Sequence, residues 1–172
     1  RPMLAELLTI NAFQLMLVFA RIGGMLMLMP GIGELAIPAR VRLGFALALS
    51  RIVMPVVGER LPPAPSGPIG LALLLGGELL LGIAIGTLAR MLISALQTAG
   101  TVIAFHSGMG TALMFDPSAA QQGAIMGAFL TTMGVTLLFV TGLHHLLIGG
   151  VVDSYATLPP GAAFPLGDLD EA

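Results

Sequence analysis

The sequence predicts an all-α protein: a membrane-associated bundle of long, kinked apolar helices that forms one domain over residues 1–172. Three features support this fold class. Of the 172 residues, 56% are apolar and 9% are charged, whereas a soluble domain carries about 25% charged residues. At about 20 residues per crossing, the apolar runs provide about four or five hydrophobic helices. The 23 glycines and 12 prolines punctuate these runs and favour kinks and close helix packing.

The first half of the chain predicts two helices and a linker. The first helix occupies residues 4–29 and ends at Pro30-Gly31, where proline lacks an amide donor and glycine permits a turn. The second occupies residues 41–57 and is expected to break at Pro55, which leaves it short for a full crossing. Four prolines in residues 61–68 favour an extended linker and mark the clearest internal boundary.

The second half is more continuously apolar. Residues 69–88 contain Glu78 as their one charge, and residues 91–115 carry none, so these segments are apolar nearly all round and predict buried helix. Residues 116–118, Asp-Pro-Ser, predict a turn. A long helix is expected through residues 125–151, followed by a loose, solvated tail from Thr157.

Several classes of function are disfavoured by the composition. With no cysteine, the chain offers no disulfide or thiolate metal site, and no cofactor is predicted. Its seven basic residues and net charge of −2 provide no basic stripe for nucleic acid. Ser107 with His144 or His145 lacks the glycine-flanked turn and the orienting acid of a hydrolase, so no enzyme is predicted. No removable leader is expected at the N-terminus, because the first apolar stretch has no cleavage signal.

Two charges stand inside apolar segments, where charge is costly and is usually paired or faces water. Arg21 and Glu78 are therefore interpreted as partners of each other or of a neighbouring subunit, or as residues of an aqueous path. A small-solute secondary transporter is an alternative, in which both side chains form a substrate site near the midplane.

Glycines four residues apart indicate close helix crossings. The pattern occurs twice, and it leaves open whether the helix that is met belongs to this chain or to a partner subunit. The four glycines are Gly82, Gly86, Gly123 and Gly127.

The segment from His106 to Pro117 weakens a helix in the middle of apolar sequence. Irregular backbone is tolerated at membrane depth only where protein or a water-filled cavity satisfies it, so one hypothesis is a pore-lining or pore-blocking loop. Thioethers and an aromatic ring can close a gap and part again without breaking hydrogen bonds. An ordinary turn with buried methionines remains the alternative. The predicted gate residues are Ser107, Gly108, Met109, Gly110, Thr111, Met114, Phe115, Asp116 and Pro117.

A series of motifs along the chain resembles, in order, the FliR/SctT/SpaR family of type III secretion export-gate proteins. The resemblance covers nearly the whole chain. The motifs are Pro30-Gly31, IPARVRLGFA at 37–46, ELLLGIAIG at 78–86, QTAG at 97–100, Gly108-Met109 with FDP at 115–117, His144, DSY at 153–155, and Leu158-Pro159.

This resemblance implies a subunit of the flagellar export gate, in the bacterial inner membrane at the basal body, that helps to form and plug a channel for unfolded flagellar proteins. It also implies FliP-like helical hairpins, with the FliQ-like C-terminal part of the family apparently absent. The implied partners are FliP and FliQ homologues, FlhB-like and FlhA-like membrane proteins, and membrane lipid. In this family the loop that matches residues 107–121 acts as the plug. An injectisome homologue is the alternative within the family.

Overall fold

The chain folds into apolar α-helices joined by short connections. The computed structural model describes residues 2–34, 37–109 and 119–161; within these ranges no strand is present, and the predicted all-α fold is confirmed. The predicted turn at 116–118 and most of the tail lie outside them. The helices are α1 (Pro2–Leu28), α2 (Ala39–Val57), α3 (Pro68–Ala104), α4 (Ala119–Val140) and α5 (Leu143–Thr157), with a 3₁₀ turn at Gly58–Arg60 and a π-helical turn at Phe105–Met109.

Helix α2 extends past the proline that was expected to break it. Pro55 lies inside the helix, which ends at Val57 and continues into the 3₁₀ turn. Pro55 is in the last turn of the helix. Its missing amide donor therefore removes one backbone hydrogen bond, and few helical residues follow that a kink would move. The predicted break was wrong, and so was the expectation of a short span: Ala39–Arg60 provides 22 residues, long and apolar enough to cross a membrane.

Helix α3 is the longest element, with 37 residues. Pro68 stands in its first turn, where the missing amide donor removes no helical hydrogen bond, and the residues from Leu61 to Gly67 that precede it are not helical. The helix passes through Glu78 and Arg90 without a break. Together with the first residues of the π-helical turn, it forms an apolar helical segment of 40 residues, Pro68–Ser107.

The last apolar segment is bent rather than straight. The predicted helix over residues 125–151 was wrong, because the chain turns by 71° between α4 and α5. Gly142 stands at the corner with a φ of 75°, a left-handed conformation that glycine adopts without steric cost.

Some of the described helices are long and apolar enough to cross a membrane, and others are not. Two of them, α2 with its 3₁₀ turn and α3 with its π-helical turn, are long and apolar enough to span, and the bent pair α4–α5 makes a third if it counts as one span. These helices, together with the low charge content, indicate a membrane-embedded protein. The expectation of four or five hydrophobic helices is met, since five α-helices lie within the described residues.

The core forms around α1, which packs against α2 and α3. Its inward residues contact α2 and also α5, through Val151 and Tyr155. Large apolar side chains stand exposed on the outer faces of α2, α3 and α4: Leu92 is 74% exposed and Val140 is 77% exposed. Surfaces of this kind are normally covered by lipid or by other proteins. The buried cluster consists of Val18, Ile22, Met25, Leu26, Met29, Ala46, Val53, Val57, Val151 and Tyr155.

Candidate functional site

A buried ion pair joins α1 to α3. Arg21 is fully buried and Glu78 is 1% exposed. Nε of Arg21 donates to Oε2 of Glu78 at 2.8 Å, and Nη2 donates to Oε1 at 2.8 Å. Both carboxylate oxygens are therefore held by one guanidinium, the bidentate geometry that gives the strongest charge-assisted pairing.

The same guanidinium also reaches the C-terminal end of α5. Nη1 of Arg21 donates to Oγ of Ser154 at 2.9 Å, and Nη2 donates to the Leu158 carbonyl oxygen at 2.9 Å. Its central carbon lies 3.9 Å from the centre of the Tyr155 ring, within range of a cation–π attraction. One arginine thus ties three helices together, and we name Arg21, Glu78, Ser154, Tyr155 and Leu158 the arginine cluster.

Three members of the arginine cluster were not singled out as site residues from the sequence. The signal available in the sequence was a pair of polar side chains in an apolar helix: Tyr155, the one tyrosine of the chain, and Ser154 directly before it. A buried tyrosine usually needs a polar partner. The carbonyl of Leu158 carried no such signal, because its role depends on where α5 ends.

Glycines allow α1 and α3 to approach closely enough for the ion pair. A Cβ atom at Gly86 would lie 2.7 Å from the Met25 carbonyl oxygen, and one at Gly82 would overlap the Arg21 backbone. Glu78, Gly82 and Gly86 recur every four residues, so they share one face of α3. These two glycines pack against this chain's own α1.

A second close crossing joins α3 to α4. A Cβ atom at Gly100 would lie 2.5 Å from Cα of Gly127. Next to this contact, Oγ1 of Thr131 donates to Oε1 of Gln97 at 3.0 Å. Gly127 therefore also packs within the chain. Gly123 lies in α4, and its surroundings fall outside the described side chains.

The predicted gate segment begins where α3 gives way to the π-helical turn Phe105–Met109. Ser107 is exposed, and its hydroxyl donates to the Ile103 carbonyl oxygen at 2.8 Å. Gly108 and Met109 complete the turn, and π-helical turns often occur at functional sites. The remaining predicted gate residues lie outside the described residues: Gly110, Thr111, Met114, Phe115, Asp116 and Pro117. The plug therefore stays a prediction.

The structure shows where the residues considered for a solute site or for catalysis lie. Each carboxylate oxygen of Glu78 accepts a hydrogen bond from Arg21, so of the partners that the sequence left open, these two residues meet each other. The His144 ring lies 3.9 Å from the His145 ring and 5.0 Å from the Phe139 ring, measured between centroids. In this part of the chain no three His, Cys, Asp or Glu side chains are grouped to hold a metal ion.

Comparison with known protein families shows to which family the chain belongs. The model of the family described as bacterial export proteins, family 1, matches residues 12–171. This chain belongs to that family. The match includes the arginine cluster, both glycine crossings and the predicted gate segment, and the recognition made from the sequence motifs is confirmed.

Relatives within this export family carry flagellar and translocation names. The flagellar biosynthetic protein FliR of Caulobacter vibrioides is 41% identical over 152 residues, which is 88% of this chain and 61% of that protein. FliR of Bacillus subtilis is 33% identical, over 87% of this chain and 57% of that protein. The Yop proteins translocation protein T of Yersinia pestis is 30% identical, over 73% of this chain and 48% of that protein. The export-family chain thus spans about half to three fifths of the length of these relatives.

Proposed function

We propose that this chain is a core subunit of the flagellar type III protein export gate, in the bacterial inner membrane at the flagellar basal body. The observation that carries the proposal is its 41% identity, over 88% of its length, to a flagellar biosynthetic protein FliR. The chain would help to form the channel for unfolded flagellar proteins. It would perform no chemistry itself, and transport energy would come from other parts of the apparatus.

The structure supports this role through two kinds of helix surface. The arginine cluster and the glycine crossings fix α1, α3 and α5 as one unit, which supports treating residues 1–172 as a single domain despite the non-helical stretch before α3. The outer apolar faces of α2, α3 and α4 are left open. In the proposed assembly, FliP and FliQ homologues, FlhB-like and FlhA-like proteins and membrane lipid cover those faces.

The proposed stopper of the channel is the segment at 107–121. Its described start, the π-helical turn, departs from regular α-helix directly after α3. The side chains proposed to close the channel are Met109, Met114 and Phe115, because thioether and aromatic groups can pack together without hydrogen bonds that would hold the gate shut.

Co-expression tests the proposed function directly. The chain is expressed with FliP and FliQ candidates from the same genome, and a tag on this chain is used for purification from mild detergent. One stable complex that contains all three proteins is expected. A chain that purifies without them, although it is folded and the candidates are present in the membrane, contradicts the proposal.

An injectisome subunit is the second candidate, favoured by the similarity to the Yop proteins translocation protein T. The identity to that protein is 30%, against 41% for the flagellar relative. Swimming of a strain that lacks its own FliR homologue discriminates the two: restored swimming by this chain, expressed with its own FliP and FliQ candidates, supports the flagellar role. Restored injectisome secretion without swimming supports the second candidate.

A further inference from the structure

The C-terminal part of α3 carries a polar stripe on its exposed surface. At 100° per residue, its members fall within an arc of about 100° and extend along about 21 Å of the helix. All are exposed except Thr101, which is half-buried. The polar stripe consists of Thr87, Arg90, Ser94, Gln97, Thr98 and Thr101.

A second exposed surface of the same helix segment is entirely apolar. It lies on the other side of the exposed arc, separated from the polar stripe by Met91, and its members are all exposed. Leu92, for example, is 74% exposed. This apolar stripe consists of Leu88, Leu92, Ala95, Ala99, Val102 and Ile103.

The polar stripe has no counterpart in the N-terminal part of α3. There, exposed apolar residues stand at the same angular positions, among them Ile69, Leu80 and Ile83. The exposed surface of α3 therefore changes from apolar to partly polar near Thr87, and the average composition of the helix does not show this change. Only the half that leads to the π-helical turn and to the proposed plug carries the polar stripe.

Two residues of the polar stripe, Arg90 and Gln97, are poorly suited to contact with lipid. The Thr and Ser hydroxyls donate to carbonyls of their own helix, as Thr87 does to Ile83 at 2.7 Å. Arg90, in contrast, donates to no group in the part of the chain that the structure describes. Charged side chains within apolar helices normally face water or a partner charge. Gln97 accepts one hydrogen bond from Thr131, and its amide nitrogen donates to no described residue.

An open cleft with polar side chains in its lining adjoins the stripe. It has a volume of about 220 Å³ and lies where the end of α1 meets α3 and α4, between residues that include Glu34, Arg90, Ser94, Gln97 and Thr131. This volume is enough for several water molecules, and five polar or charged side chains contribute to its lining. The stripe and the cleft therefore form one wettable surface.

We propose that the polar stripe faces the aqueous conduit of the export gate and contacts the unfolded polypeptide in transit, while the apolar stripe faces away from the conduit. This inference rests on the proposed function. Peptide groups are the one feature that all unfolded substrates share, and hydroxyl and amide side chains bind them weakly and without regard to sequence. An apolar wall would instead retain the apolar side chains of the substrate.

The absence of cysteine from the chain permits a matched test. Ser94→Cys and Thr98→Cys place a thiol on the polar stripe, and Ala95→Cys and Ala99→Cys place one on the apolar stripe, each one residue further along. Each variant is assembled with cysteine-free FliP and FliQ homologues, and the complex is exposed to a charged, membrane-impermeant maleimide. At least tenfold faster labelling is expected at positions 94 and 98, with protection when a substrate is stalled in the gate.

The outcomes separate this inference from the proposed function. Labelling at 94 and 98 that is no faster than at 95 and 99, in a complex that assembles and restores swimming, overturns the inference alone and indicates that a partner subunit covers the polar stripe. Fast labelling that a stalled substrate does not block also overturns it. Failure of the unmodified chain to assemble with FliP and FliQ homologues contradicts the proposed function instead.

Discussion

The guanidinium carbon of Arg21 lies 3.9 Å from the centre of the Tyr155 ring, and the hydroxyl of that tyrosine is buried with no hydrogen-bond partner among the described residues. The ring and the hydroxyl therefore have opposite effects on stability. The ring packs and attracts the cation, whereas the hydroxyl is removed from water without a compensating hydrogen bond.

Tyr155→Phe is expected to leave the free energy of unfolding unchanged or to raise it by about 1 kcal/mol, because the unpaired hydroxyl is removed. Tyr155→Leu is expected to lower it by about 1–2 kcal/mol, since the cation–π attraction is lost. Urea unfolding in detergent micelles, followed by circular dichroism, measures both. A Phe variant clearly less stable than the unsubstituted protein would show that the hydroxyl has a partner.

Loss of one partner of the Arg21–Glu78 pair is expected to be more harmful than loss of both. Arg21→Met leaves a carboxylate buried without its counter-charge and is expected to cost about 3–5 kcal/mol. In the double variant Arg21→Met/Glu78→Leu, no buried charge remains, and much of that loss is recovered. Unfolding measurements on a double-mutant cycle give the coupling energy, and additive losses would argue against the pairing.

Arg21→Lys serves as the milder variant if Arg21→Met does not fold. Lysine keeps the charge but lacks the planar fork that holds Glu78, Ser154 and the Leu158 carbonyl together. A loss of stability smaller than that of Arg21→Met but clearly measurable is expected. Equal stability of the lysine and arginine proteins would show that only the charge matters.

Gly82→Ala is expected to lower stability by about 1–3 kcal/mol, because the added methyl group overlaps the Arg21 backbone and overpacking has costs of this size. Gly77 lies in the same helix, and an added Cβ atom there would meet nothing within 4 Å, so Gly77→Ala is the control. It is expected to be neutral or to stabilise by up to about 1 kcal/mol through helix propensity. Similar losses for both variants would contradict the close crossing of α1 and α3.

Gly142→Ala tests the corner between α4 and α5. At its φ of 75°, a side chain costs about 1–2 kcal/mol, and thermal unfolding in micelles should show that loss. Gly149 lies inside α5 with nothing within 4 Å of its Cβ direction, so Gly149→Ala is expected to be neutral or stabilising. A straight α4–α5 helix in the protein would make the two substitutions equivalent.

The membrane-associated character followed from composition, because a chain with 9% charged residues cannot coat a soluble surface, and the all-α fold followed from the length of the apolar runs. The corner at Gly142 did not follow, since isolated glycines are tolerated inside apolar helices and nothing nearby marked this one as a turn. Tertiary packing identifies it: Phe139, just before the corner, lies against Gly31 after α1.

The candidate site was only partly accessible from the sequence. Arg21 and Glu78 were noticeable because each interrupts an apolar run, but they are 57 positions apart, and the sequence left open which partner each one meets. The polar stripe was missed because Arg90 was treated as the end of one segment and Ser94 to Thr101 as part of an uncharged, buried one. Only the observed burial shows that these residues share an exposed face.

The predicted plug gives the last test. Met114→Ser/Phe115→Ser, or a shortened loop over 107–121, is expected to make the assembled gate leak ions, because small polar side chains no longer exclude water from the constriction. Conductance of the purified complex in planar bilayers measures the leak. Met114→Leu/Phe115→Leu is the control, since it keeps apolar side chains at both positions and is expected to leave the closed state intact. Unchanged conductance of the loop variants, in complexes shown to be complete, would reject the plug.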